Sequence, residues 1–140
     1  MSGTSVAVIG GGVIGASVAC HLAERGWRVR VLERAATPGE GSTGRATGGF
    51  RAQYATAVNV RLSLLAREKL RCFEAETGVD PGYAECGYLW LAGSAEELAE
   101  LERAQRIQHA EGLTEAVLLG LDDIAGVNPA VQASGVVGDM

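Results

Sequence analysis

The chain has 140 residues, of which 47% are hydrophobic and 21% charged, and its net charge is −5. This composition is typical of one soluble globular domain. It excludes a basic nucleic-acid-binding protein, and no apolar run reaches the roughly 18 residues of a membrane span. Three widely spaced cysteines and two isolated histidines form no metal-binding pattern, so we predict no metal site. The odd cysteine count indicates a reducing compartment, and we expect a cytoplasmic protein.

The N-terminal region carries the strongest signal in the sequence. Residues 6–9 form an uninterrupted apolar run, which predicts a strand of a parallel sheet that is buried on both faces. A glycine cluster follows directly, and apolar residues then recur with helical spacing at Ile14, Val18 and Leu22. The glycines therefore lie at a predicted strand-to-helix turn.

Three of these glycines, Gly10, Gly12 and Gly15, match the G-x-G-x-x-G motif of dinucleotide-binding proteins. The first permits the tight turn, the second lets a pyrophosphate approach the backbone, and the third lets the helix pack closely on the strand. A second strand is predicted over residues 28–33, and it ends in Glu33. An acid about 20 positions after the motif accepts hydrogen bonds from a ribose in such sites. Together these features predict a dinucleotide site.

Residues 41–51 form a second informative segment, rich in glycine, hydroxyl side chains and arginine. Such groups hydrogen-bond a phosphate, a sugar or a polar heterocycle, and the arginines supply positive charge for an anion. Gly48 and Gly49 would let the backbone lie flat against a planar ring. The alternative is a flexible linker, but after a nucleotide motif we favour a binding segment.

The remaining sequence predicts alternating helices and short strands. In chain order we expect a helix over 55–77, a strand at 88–91, a helix opened by a capping box, a strand at 117–119 and a short helix at 121–124. The first helix would turn Leu62, Ala66, Leu70 and Phe73 inward and end at Gly78, and the capping box is Ser94-x-x-Glu97. Tyr88 and Trp90 are interpreted as core aromatics without a function.

The sequence supplies only two secure strands for a parallel sheet, whereas a doubly wound nucleotide domain has five or six. Missing neighbours would leave strand edges and apolar faces exposed. We therefore expect residues 1–140 to be the N-terminal piece of a larger protein.

These motifs resemble the N-terminal part of FAD-dependent oxidoreductases of the D-amino-acid oxidase superfamily, in the branch of sarcosine oxidase, dimethylglycine dehydrogenase and glycine oxidase. The resemblance extends over essentially all 140 residues and depends on residues 6–15, 31–34 and 41–51. It implies an α/β fold, namely a Rossmann-like βαβ FAD-binding domain with an incomplete parallel sheet, plus part of a helical and β insertion. The substrate domain and a second FAD-binding segment would lie outside these residues.

The resemblance also implies roles for individual residues toward FAD. The residues expected at the pyrophosphate are those of the glycine motif, namely Gly10, Gly12, Val13, Ile14 and Gly15. The remaining cofactor contacts are Glu33 at the ribose, Arg34 beside the adenine, Ser42 and Thr43 at the pyrophosphate and ribitol, and Thr47, Gly48 and Gly49 along the isoalloxazine. Arg51 matches a position that helps bind a substrate carboxylate in some relatives.

The activity that the resemblance implies is oxidation of the C–N bond of an amine or amino acid, such as sarcosine, dimethylglycine or glycine, to an imine. No residue of the chain is a candidate catalytic base, so the 140 residues alone are expected to be inactive. The expected partners are a small-molecule amine or amino-acid substrate and a partner subunit or electron acceptor. Two alternatives stay open: an NAD(P)-binding dehydrogenase domain, and a non-catalytic fragment that folds only with a partner.

Overall fold

The computed structural model of the protein describes residues 5–132 and 134–139. Two positions of the C-terminal segment, 133 and 140, therefore lie outside the described residues. The chain divides into two compact units, Met1–Gly49 and Phe50–Met140, and each is described by itself. Among the helices that the structure describes, none combines the length and apolar character needed to cross a membrane.

The first unit contains the predicted strand–helix–strand arrangement. Strand β1 (Ser5–Ile9) leads into helix α1 (Val13–Glu24), which is followed by strand β2 (Arg28–Leu32). The two strands are parallel, with Ser5 opposite Arg28 and Ile9 opposite Leu32. Strand β2 ends one residue earlier than predicted, so Glu33 is the first residue beyond the sheet.

The prediction that β1 is buried on both faces is wrong for the part of the chain that the structure describes. Side chains along β1 alternate between exposed and half-buried, and Ile9 is 88% exposed. The reason is that β1 and β2 form a two-stranded sheet, on which α1 packs. Since neighbouring side chains of a strand point to opposite faces, covering one face gives this alternation.

The segment after β2 differs from the prediction in one respect. No secondary structure was assigned to residues 41–51, whereas helix α2 (Ser42–Arg45) forms a single turn there. The N–H of Gly44 donates to the carbonyl of Gly39 at 2.7 Å. A Cβ atom at Gly44 would lie 2.6 Å from that same oxygen, so this tight turn needs a glycine.

The second unit contains three helices and one pair of short strands within the described residues. Its elements are α3 (Ala57–Thr77), β3 (Leu91–Ala92), α4 (Ala95–Ala110), α5 (Leu121–Val127) and β4 (Gly138–Asp139). Strands β3 and β4 pair antiparallel. The three predicted helices are therefore confirmed. The N–H of Glu97 donates to Ser94 Oγ at 3.2 Å, whereas the Glu97 carboxylate accepts from Gly93 instead of completing the capping box.

Three local predictions for this unit are wrong. The run at 88–91 forms a strand only from Leu91 onward, where β4 supplies a pairing partner. At 117–119 only Leu119 makes an isolated bridge. Helix α3 buries Val60 completely and leaves Leu62 59% exposed. The helix turns this face inward because Val60 packs with a cluster that consists of Leu113 and Ala116, bordered by Ala52, Tyr54 and Leu64.

Candidate functional site

The turn between β1 and α1 has the geometry that the glycine motif predicts. Gly10 has a φ of +98°, which L side chains rarely adopt, and its N–H donates to the Leu32 carbonyl at 2.8 Å. A Cβ atom at Gly15 would lie 1.9 Å from the carbonyl oxygen of Gly10. Helix α1 therefore starts in direct contact with the turn, and only glycine at position 15 permits this.

The N-terminus of α1 is open to a ligand. Gly12 is the N-cap and offers no side-chain cap, and the first turn contains no acidic residue. The first N–H groups of a helix have no intrahelical partner, and the helix dipole places partial positive charge there. Such an end binds phosphate groups readily.

One side chain from the segment after β2 reaches this helix end. Thr43 Oγ1 accepts a hydrogen bond from the N–H of Val13 at 2.9 Å. A Cβ atom at Gly12 would lie 2.9 Å from the same hydroxyl oxygen. A hydroxyl that accepts one hydrogen bond can still donate its own proton. Thr43 is thus held at the helix start with a donor left for a ligand.

Glu33 lies against the glycine turn. Its carboxylate accepts hydrogen bonds from the N–H of Gly11 at 2.6 Å and from the N–H of Ala35 at 2.9 Å. The hydrogen bonds from Ala35 and Gly11 lower the pKa of Glu33 below its usual value, so the side chain is ionised at neutral pH. A carboxylate has about four lone-pair positions, which leaves acceptors for ribose hydroxyls.

A cleft of about 1000 Å³ brings most of the predicted cofactor residues together. The predicted residues that line it are Gly10, Gly12, Val13, Ile14, Gly15, Glu33, Arg34, Ser42 and Thr43. Its lining also includes Glu40, Gly41 and Arg45, for which no individual cofactor contact was predicted. Gly41 and Arg45 lie inside the glycine- and hydroxyl-rich segment, which was the available signal, whereas Glu40 directly precedes it. This volume is at the upper end of the range typical of small-molecule sites.

Sequence reasoning also missed Gly11, which lies between two motif glycines. It is buried, and a Cβ atom there would lie 3.3 Å from the Glu33 carboxylate and 3.4 Å from Pro38. A larger residue would push the acid away from the turn. The run of three consecutive glycines was the signal, since the motif itself leaves this position open.

The other predicted residues lie outside this cleft. Thr47, Gly48 and Gly49 follow α2 and do not line it, although Gly48 has a φ of +74° that suits glycine. Their contact with the isoalloxazine stays a prediction. Arg51 belongs to the second unit, where it lines a cleft of about 360 Å³. Its guanidinium carbon lies 4.9 Å from the ring centre of Tyr54 and 5.0 Å from that of Trp90.

The residues of the first-unit cleft fit a dinucleotide. The backbone at Gly12 is open except for a hydroxyl, the start of α1 offers N–H donors, and an ionised acid follows β2. These are the groups that hold a pyrophosphate and a ribose in strand–glycine–helix sites. Within the described residues, no group of three or more potential ligands could hold a metal ion.

Comparison with known proteins agrees with this assignment. The family described as "DAO: FAD dependent oxidoreductase" matches residues 5–140. The crystal structure of L-proline dehydrogenase from P. horikoshii covers 98% of this chain at 31% identity, with a TM-score of 0.86. The crystal structure of glycine oxidase from Geobacillus kaustophilus covers 95% at 30% identity, with a TM-score of 0.76. FAD-dependent oxidoreductase domain-containing protein 1 from Bos taurus is 34% identical over 95% of the chain.

The chain spans only part of each relative. It corresponds to 36% and 37% of the two crystallised oxidoreductases and to 29% of the bovine protein. The predicted cofactor FAD and the Rossmann-like fold are confirmed by these matches, and the NAD(P) alternative finds no support in them. The chain belongs to the DAO family of FAD-dependent oxidoreductases.

Proposed function

We propose that this chain provides the FAD-binding part of an enzyme that oxidises the C–N bond of an amine or amino acid to an imine. The observation that carries the proposal is the convergence of the glycine turn, the α1 N-terminus, Glu33 and Thr43 on one cleft. The relatives named L-proline dehydrogenase and glycine oxidase support an amino-acid substrate. FAD, when bound, supplies the two-electron oxidising capacity that this chemistry requires.

Each group of the cleft has a defined task in this proposal. The N–H groups at the start of α1 and the backbone at Gly12 hold the pyrophosphate, and the Thr43 hydroxyl donates to it. The Glu33 carboxylate accepts from the ribose hydroxyls, with Arg34 beside the adenine. Ser42 contacts the pyrophosphate or ribitol, and Thr47, Gly48 and Gly49 lie along the isoalloxazine.

The substrate side of the proposal depends on Arg51. Its planar guanidinium pairs with a carboxylate through two parallel hydrogen bonds, which favours an amino acid over a simple amine. We assign the catalytic base to no residue of this chain. We infer that the 140 residues bind cofactor but do not complete the reaction, and that a partner subunit or further polypeptide supplies the rest.

Two further observations support parts of this proposal. Leu62 is 59% and Leu65 62% exposed on α3, which favours an additional protein surface over these side chains. Cys20, Cys72 and Cys86 are free thiols, which supports a reducing compartment such as the cytoplasm.

The test is a titration of the purified chain with FAD, followed by visible absorption and gel filtration. We expect a perturbed flavin spectrum that co-elutes with the protein. Gly12→Val places a branched side chain against the Thr43 hydroxyl and the pyrophosphate position, so it should weaken FAD binding by more than about tenfold. Gly126→Ala, where a Cβ atom meets nothing within 4 Å, is the control and should bind like the parent.

The outcomes separate the cofactor from the substrate assignment. Equal FAD affinity in Gly12→Val and the parent would contradict the site. Preferential binding of NAD(H) over FAD would contradict the cofactor. If FAD binds, anaerobic addition of glycine, sarcosine, dimethylglycine or proline to a longer family member that contains this chain should bleach its flavin absorption. The absence of bleaching by every one of them would contradict the amino-acid proposal.

A further inference from the structure

The guanidinium of Arg51 is in contact with two aromatic rings of the second unit. Its central carbon is 4.9 Å from the Tyr54 ring centre and 5.0 Å from the Trp90 ring centre. Both distances are within the roughly 6 Å range of cation–π attraction, and tryptophan and tyrosine are the stronger partners for a cation. We call Tyr54 and Trp90 the aromatic pair.

Each residue of the aromatic pair is itself held by a glutamine. The Trp90 indole N–H donates to Gln53 Oε1 at 3.1 Å. The main-chain carbonyl of Tyr54 accepts a hydrogen bond from Gln108 Nε2 at 3.2 Å, and Gln108 is only 1% exposed. Tyr54 also packs against the buried cluster around Val60. The Trp90 ring is therefore held by its own hydrogen bond, and the Tyr54 ring is carried by a main chain that Gln108 anchors.

Arg51 also differs from the other charged residues of its cleft. Arg67 is paired with Glu115, and Glu85 is paired with Arg71. Within the described residues, none of the ion pairs involves Arg51. In this cleft the carboxylates of Glu85 and Glu115 are thus already paired with arginines. Arg51 instead has aromatic rings as neighbours and no carboxylate partner among the described ion pairs.

Cation–π contact has a consequence for hydrogen bonding. A ring face attracts the guanidinium without consuming any of its five N–H donors, whereas an ion pair would consume two or more. Ordering the long side chain in advance also lowers the conformational entropy that ligand binding would otherwise cost. Arg51 is thus oriented and still free to donate.

We propose that Trp90 and Tyr54 are positioning residues, fixed by Gln53 and Gln108, which hold the Arg51 guanidinium ready for the carboxylate of a ligand. This inference rests on the proposed function, in which Arg51 binds the substrate carboxylate. It adds a role for an aromatic residue, Trp90, that lies 39 positions away in the sequence. It also makes Gln53 a determinant of carboxylate recognition without contact to the ligand.

The first measurement detects the positioning without a ligand. Proton NMR of the Arg51 Nε–H and side-chain methylenes should show upfield ring-current shifts in the parent chain. Trp90→Leu should move these signals toward random-coil positions, and Trp90→Phe should keep part of the shift because a ring remains. Gln53→Leu should also reduce the shift, since the ring stays but its hydrogen bond is lost. Tyr88→Leu, a change at an aromatic residue that lines the Arg51 cleft, is the control and should leave the Arg51 signals unchanged.

The second measurement detects the consequence for binding. In a Trp27→Phe background Trp90 is the single tryptophan, so its emission reports on the surroundings of Arg51, whose guanidinium carbon lies 5.0 Å from its ring centre. We expect sodium propanoate, at constant ionic strength, to perturb this emission and to bind more tightly than neutral propanamide. Gln53→Leu should reduce the ratio of the two affinities by about fivefold, because a less ordered guanidinium loses preorganisation. A purely structural role of Gln53 would lower both affinities together and leave their ratio unchanged.

The outcomes distinguish the positioning of Arg51 by the aromatic pair from the binding of a carboxylate by Arg51. The positioning inference is overturned if the Arg51 signals show no ring-current shift. It is also overturned if Trp90→Leu and Gln53→Leu both leave that shift intact. If the ring-current shifts behave as expected while the parent binds propanoate and propanamide equally, the carboxylate role of Arg51 is overturned. That result contradicts the substrate part of the proposed function while the FAD titration stands on its own.

Discussion

Replacing Gly15 by alanine tests the contact between α1 and the turn that follows β1. A Cβ atom at this position would lie 1.9 Å from the carbonyl oxygen of Gly10, whereas real Cβ atoms essentially never come closer than 3.0 Å to such a neighbour. The neighbour is backbone and cannot rotate away. The start of α1 and the turn must therefore separate by roughly 1 Å, which is a typical response to overpacking.

Two opposing contributions determine the size of the effect. Alanine is favoured over glycine inside a helix by about 0.8–1.0 kcal/mol. Overpacking costs about 1–3 kcal/mol, and the upper end applies here because the clash involves a main-chain carbonyl. We therefore expect Gly15→Ala to lower the free energy of unfolding by about 1–2 kcal/mol. The same substitution at Gly126 in α5 meets nothing within 4 Å and should stabilise the chain or leave it unchanged.

The assay is urea unfolding of the parent and both variants, followed by far-ultraviolet circular dichroism, together with the FAD titration. Gly15→Ala should lower the midpoint and weaken FAD binding, because the displaced helix start carries the N–H groups that face the pyrophosphate. Gly126→Ala controls for the general effect of adding a methyl group to a helix. A Gly15→Ala variant as stable as Gly126→Ala, with parental FAD affinity, would refute the close-packing argument.

Three further changes have defined outcomes. Thr43→Val removes the acceptor of the Val13 N–H, so it should cost about 0.5–1.5 kcal/mol of stability and accelerate hydrogen exchange at that amide; unchanged exchange would contradict the contact. Hydrogen bonds lower the pKa of Glu33 in the folded chain, so the ionised side chain stabilises the fold. This contribution to the free energy of unfolding is complete above the usual glutamate pKa and is lost as the pH falls through the lowered pKa. Glu33→Gln should therefore flatten the acid limb of the stability–pH curve and weaken FAD binding by about tenfold; an unaltered acid limb would argue against this account. Ser94→Ala should cost about 1 kcal/mol in thermal or urea unfolding because its hydroxyl caps α4, whereas Thr56→Ala should cost less because Thr56 makes no side-chain cap.

The parts of the site that the sequence predicts are those governed by local geometry. Gly10 and Gly15 fulfil the roles expected from their spacing, since a turn conformation and a contact five residues apart are both encoded within one short motif. Glu33 lies at the end of β2 as expected, although one residue beyond the strand rather than within it. The capped helix after Ser94 was also predictable, because a capping residue acts on its own helix.

The features that the sequence does not predict depend on contacts between distant residues. The hydrogen bond between the Val13 N–H and Thr43 Oγ1 joins positions 30 apart, and neither residue type predicts a contact with the other. Trp90 appears as a core aromatic from its β-prone neighbours, yet its ring faces a charged side chain. The exposure of Ile9 depends on how many strands surround β1, so its own apolar run gave the wrong burial while the count of two secure strands gave the right one.

The parallel pairing of β1 and β2 has a consequence for how the first unit folds. Every rung of this ladder joins residues 23 positions apart, as in Ser5 opposite Arg28, and α1 occupies 12 of the residues between them. Closing a loop costs less entropy when part of it is already ordered. We therefore expect α1 to form before the strands meet, so that helix-destabilising substitutions at solvent-exposed positions of α1 slow folding, while changes within β2 mainly accelerate unfolding. Stopped-flow kinetics of such a variant pair would show in which order the cofactor-binding turn assembles.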